Sequence, residues 1–123
     1  MARILIIDDE ELVRFALREI LENAGHNVQE AVNGRLGLEI FENHPADIVV
    51  TDIIMPQMEG IETITRLRRI APACKIIAVS GGGRVGASNY LKLAQHMGAD
   101  LVLPKPFKQD QILTAVHTLL AGE

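Results

Sequence analysis

Short aliphatic runs stand at residues 4–7, 48–50, 76–79 and 101–103, with a weaker one around 28–32. Four of them lack the alternation of a half-solvated strand, which predicts strands buried on both faces. Between the runs, apolar residues return at spacings of three and four. Val13, Leu17, Ile20, Leu21 and Ala24 stripe a first helix that Gly25 stops, and a second runs from about residue 35 to residue 43, before Pro45. Ile61, Ile64, Thr65 and Arg68 share a face of a third helix, closed before Pro72. Tyr90, Leu93, Ala94 and Met97 stripe a fourth that ends at Gly98, and Ile112, Val116, Leu119 and Leu120 stripe a fifth. Strict alternation of five strands with five helices predicts an α/β fold: a doubly wound, five-stranded parallel sheet with helices on both sides and right-handed crossovers.

In such open sheets ligands bind beyond the carboxyl ends of the strands, so the residues that follow each apolar run converge on one rim. Asp8 and Asp9 follow the first run, Asp52 the third, Ser80 the fourth and Lys105 the fifth. Taken singly, each has an ordinary use: acids cap a helix or complement its dipole, a serine caps, an aspartate opens a turn, a lysine is solvated. Their joint placement at the ends of four strands is what those uses do not explain. Clustered carboxylates suit a hard divalent cation such as Mg²⁺, which keeps waters and accepts phosphate oxygens. With such charge neutralised, Asp52 can act as a nucleophile toward phosphorus, while a lysine ammonium and a hydroxyl bind the remaining oxygens.

The length of 123 residues fits one domain, and a formal net charge of −4 gives no electrostatic footprint for nucleic acid. The basic group Arg66, Arg68 and Arg69 is short enough to be a solvated helix face. A single cysteine, Cys74, rules out an internal disulfide and suits a reducing cytoplasm. No apolar stretch is long enough for a signal peptide or a membrane span, so the chain reads as cytoplasmic with no membrane partner.

The segments "ILIIDDE", "DIVVTDIIMPQMEGIE", "KIIAVSG" and "GADLVLPKPF", in this order and over the full length, resemble the four signatures of the receiver domains of two-component response regulators, including the stand-alone chemotaxis regulators. The resemblance implies a flavodoxin-like (βα)5 fold and a signalling role, the chain catalysing only its own phosphorylation and dephosphorylation. It implies Asp52 as phosphoacceptor, Asp8 and Asp9 as the acid pair with Asp9 a direct metal ligand, and the backbone carbonyl of Ile54 as a further Mg²⁺ ligand. Ser80 would be the switch hydroxyl and Lys105 the phosphate-contacting lysine, joined to Pro106 by a cis bond. The phosphoryl donor would be a sensor histidine kinase or a histidine phosphotransfer protein. A downstream protein would read the fourth helix, fifth strand and fifth helix.

The chain departs from the family pattern in places. Val102 stands where many receivers carry a rotating aromatic, "GGGRVGASN" is a few residues long for its place, and Ile54 and Gly82 replace polar side chains. The chain stops at Glu123, so the sequence reads as a single receiver domain over 1–123 with no output domain in this chain, either a stand-alone regulator or an excised module. Two other classes fit less well. "GGGRVG" at 81–86 matches a dinucleotide fingerprint, yet the acid expected at the end of the next strand is missing, since Asp100 lies at its start. A phosphatase of the haloacid dehalogenase type needs a general acid two residues after its nucleophile, where this chain has Ile54.

Overall fold

The computed structural model describes residues 2–53, 59–81 and 87–122. Ten elements follow in order: β1 (Arg3–Ile7), α1 (Glu11–Asn23), β2 (Asn27–Ala31), α2 (Gly34–Asn43), β3 (Ile48–Asp52), α3 (Glu59–Ile70), β4 (Lys75–Gly81), α4 (Ala87–Met97), β5 (Leu101–Lys105) and α5 (Gln109–Ala121). The strands form one parallel sheet in the order β2-β1-β3-β4-β5. The chain therefore reverses its winding between β1 and β3, which makes the crevice above those two strands the natural ligand site.

Residues along each central strand point alternately to two cores. Leu5, Ile7, Val49, Ile76 and Ala78 pack with Phe41, Ile64, Leu67 and Ala94 under α2, α3 and α4. Ile4, Ile6, Ile48, Val50, Ile77 and Val79 pack with Leu17, Leu21, Ile112 and Val116 under α1 and α5. This is why β1, β3 and β4 read as unbroken apolar runs. The expectation of two-sided burial fails for β5. Leu101, Val102 and Leu103 are only half-buried, because β5 is the last strand in the sheet and has a neighbour on one side alone.

Helix ends follow the sequence signals. The Gly25 N–H donates to the Glu22 carbonyl and the His26 N–H to that of Leu21, a Schellman closure in which Gly25 takes φ 92°. Gly98, at φ 129°, ends α4 in the same way, with bonds to Gln95 and Ala94. The Asn33 side chain caps α2 by accepting from the Leu36 N–H. The stripe expected on α4 divides: Ala94 is buried, whereas Leu93 and Met97 are more than a third exposed. Among the described residues no helix is long and apolar enough to cross a membrane.

Candidate functional site

Strand register assembles the rim. Ile7 pairs with Thr51, so Asp8, one residue further, stands level with Asp52. Asp52 is level with Val79, and Ser80 and Gly81 are level with Pro104 and Lys105. Four of the predicted residues, Asp8, Asp52, Ser80 and Lys105, thus reach one end of the sheet from four different strands.

The Lys105 ammonium joins the acids. It donates to Asp8 Oδ2 at 2.9 Å, to Asp52 Oδ2 at 3.0 Å and, at 3.4 Å, to Glu10 Oε1. Asp8 and Asp52 are almost fully buried, at 1% and 3% exposure, so these pairs escape most of the screening that weakens surface ion pairs. Burial pushes the Asp8 carboxyl above the ordinary aspartate range, and the charge of Asp52 adds to this. The Glu10 N–H bond and the Lys105 charge oppose it without cancelling it. Burial also works against the charge on Lys105, but the hydrogen bonds and charges of Asp8 and Asp52 outweigh it and hold the lysine above its usual range. The Lys105–Pro106 peptide is cis.

The backbone around Asp8 is held on all sides. Its N–H donates to the Ala31 carbonyl, its Oδ1 accepts from the Glu10 N–H, and its carbonyl accepts from Arg14 at 2.7 Å. On the opposite wall, α3 begins so close to β3 that a Cβ placed on Gly60 would collide with the Asp52 carbonyl oxygen and the Ile53 Cα. Ser80 is fully buried, and among the described residues its hydroxyl has no hydrogen-bond partner. A buried, unsatisfied hydroxyl at a site rim marks a place where a polar ligand atom can be accepted.

Carboxylate oxygens of Asp8, Asp9, Glu10 and Asp52 all lie within 4.8 Å of one another. Four oxygen donors in that space, against one ammonium, fit a hard divalent cation and not a soft one. Asp9 is exposed beside the buried pair. Ile54, expected to offer its carbonyl, and Gly82 lie outside the described residues. Sequence reasoning overlooked three contributors. Glu10 was legible only as one more acid in the run; Gly60 had as its signal a poor helix former in a helix's first turn. Arg14 carried no signal for the site, since the group it holds there is a backbone carbonyl.

Comparison with known proteins points to one family. The family model described as "Response regulator receiver domain" matches residues 4–117. Chemotaxis protein CheY of Thermotoga maritima is 36% identical over 116 residues, covering 94% of each chain. Sensor kinase CckA of Brucella abortus is 36% identical over 121 residues, 97% of this chain but 12% of that protein. The crystal structure of a CheY-like response regulator receiver domain protein from Methanospirillum hungatei superimposes with a TM-score of 0.88 at 30% identity, covering 99% of this chain and 95% of the other. Neither a phosphatase nor a dinucleotide-binding reading finds support beside these matches. The chain belongs to the response regulator receiver domains, the phosphoacceptor modules of two-component signalling.

Proposed function

We propose that Asp52 is the phosphoacceptor and that Lys105, Ser80, Asp8 and Asp9 serve its phosphorylation. The observation that carries this reading is the Lys105 ammonium held between Asp8 and Asp52: one fixed cation beside a buried carboxylate at the end of a central strand. In the reaction a carboxylate oxygen of Asp52 attacks phosphorus, a P–O bond forms, and the P–N bond to a donor histidine breaks. The electron pair of that bond leaves on the imidazole. Lys105 is placed to neutralise a phosphoryl oxygen, and the unsatisfied Ser80 hydroxyl to donate to another.

Asp8, Asp9 and Asp52, with Glu10 nearby, would hold Mg²⁺, and the family resemblance adds the backbone carbonyl of Ile54 to that set. When bound, the ion offsets the negative charge that accumulates on the transferring oxygens. The donor class is a sensor histidine kinase or histidine phosphotransfer protein, and a cytoplasmic setting suits both that donor and the reduced Cys74. The chain works as a signalling module whose only chemistry is gain and loss of its own phosphoryl group. The surface offered downstream is α4, β5 and α5, where Leu93 and Met97 are exposed beside a half-buried edge strand. Its reader there is a protein and not nucleic acid.

Intact-mass measurement after incubation with acetyl phosphate and Mg²⁺ tests the acceptor. One phosphoryl group should add to the parent chain and none to Asp52→Asn. Stoichiometric labelling of the variant would move the acceptor elsewhere.

A further inference from the structure

Arg14, on α1, has its ring of donors divided between two targets. Its NH1 donates to the Asp8 backbone carbonyl at 2.7 Å, and its Nε to Glu30 Oε1 at 3.1 Å. Glu30 sits on β2, level with Ile6, and its second oxygen accepts from Arg18 at 2.8 Å. Arg18 is in turn paired with Glu22. A carboxylate on β2 therefore fixes the plane of a guanidinium on α1, and that plane grips the peptide between Asp8 and Asp9. The side chain is largely sheltered, at 13% exposure, against 39% for Arg18.

Two physical consequences follow. The Asp8 carbonyl cannot rotate without breaking a charge-assisted hydrogen bond, so the directions in which the Asp8 and Asp9 carboxylates leave the backbone are set together. The Arg14 charge is also spoken for by Glu30, so the cation does not swing onto the carboxylates and compete for them. Arg18 shares the same glutamate but makes no bond to the acid turn. The two arginines are thus a natural pair of test and control.

We infer that Arg14, oriented by Glu30, is a positioning residue for the divalent cation site. It sets cation affinity through the Asp8–Asp9 peptide and touches neither the cation nor the phosphoryl group. This rests on the reading of the acid cluster as a Mg²⁺ site.

Titration calorimetry of the full chain with Mg²⁺, beside urea unfolding in EDTA, separates this role from simple support of the fold. Arg14→Lys keeps the charge but has one donor group where a planar fork is needed, and Arg14→Gln removes the charge. Both should raise the Mg²⁺ dissociation constant about tenfold, while Arg18→Gln changes it by less than about twofold. The urea midpoints of the Arg14 and Arg18 variants should fall alike. Mg²⁺ affinity equal to or tighter than the parent's in the two Arg14 variants would overturn the inference. Should either Arg14 variant not fold, Glu30→Leu carries the same expectation, because it removes both oxygens that accept from Arg14 and Arg18 at little cost in volume; an unchanged dissociation constant there counts equally against it. Asp9→Ala distinguishes the two levels of the argument. If it abolishes binding while the Arg14 variants bind normally, only the positioning role falls. If it leaves binding intact, the metal reading fails and the positioning role fails with it.

Discussion

Lys105 and Asp52 are 53 positions apart in the chain and meet with Nζ 3.0 Å from Oδ2. To do so the lysine crosses β4 from the edge of the sheet, and it also pairs with Asp8. Replacing it with methionine keeps the length of the stem and removes the charge. Lys105→Met should slow labelling by acetyl phosphate about a hundredfold, the usual scale for losing one preorganised donor to a developing charge. Time courses of intact mass check this, with circular dichroism to confirm the fold. A loss smaller than about threefold would show that the lysine only neutralises the resting acids.

Gly60 contributes by having no side chain. A methyl group there meets backbone atoms of Asp52 and Ile53, which cannot move without shifting Asp52. At Gly37 the same change meets the flexible end of the Ile7 side chain. Gly60→Ala should therefore cost about 1–3 kcal/mol by overpacking, more than Gly37→Ala, as read from urea unfolding. If Asp52 is the acceptor proposed above, Gly60→Ala should also slow labelling by acetyl phosphate, whereas Gly37→Ala should leave the rate near that of the parent.

His26 ties stability to pH. Its Nδ1 accepts the Ala2 N–H at 3.1 Å, which requires that nitrogen to be unprotonated, and burial lowers its pKa from 6.5. A depressed folded pKa means that the unfolded chain binds the proton more readily, so stability rises with pH through the window that ends near 6.5. The contribution is complete above that value and is lost as pH falls through the folded pKa. Urea midpoints measured between pH 5 and 8 should show this slope, and His26→Gln should flatten it. An identical slope in the variant would assign the effect to other groups.

Cys74 is buried, and that burial raises its thiol pKa from 9.0 to about 11. The nearby Arg68 charge opposes the rise without overcoming it. At pH 8 the thiolate fraction of the native chain is then roughly a hundredfold below that of the unfolded chain, since the thiolate is the reactive form. Alkylation by iodoacetamide should be slower by at least about that factor in buffer than in urea. Native and denatured rates within about tenfold of each other would mean that the β4 start opens readily.

The helices and central strands were legible because their signals are local. Gly25 and Gly98 end helices where the sequence places them, and β1, β3 and β4 are apolar without alternation because both faces are covered. Position just after an apolar run was also enough to pick out Asp8, Asp52, Ser80 and Lys105, since parallel strands bring all their carboxyl ends to one rim. The half-exposure of β5 and the outward Leu93 and Met97 were not legible. Both depend on which strand lies at the sheet edge, and strand order is not written in any local pattern.

The sequence by itself determined the alternation of elements, the rim residues and the excess of acid over base at that rim, all of which follow from periodicity and from where apolar runs stop. Only the tertiary structure decided how the rim is wired. Glu10 reaches Lys105 across 95 positions, Arg14 grips a carbonyl and not a side chain, and Gly60 leaves space for the Asp52 backbone. Backbone carbonyls and close approaches have no residue type to announce them, and a contact between distant segments exists only once register, twist and winding have fixed which strand ends stand side by side.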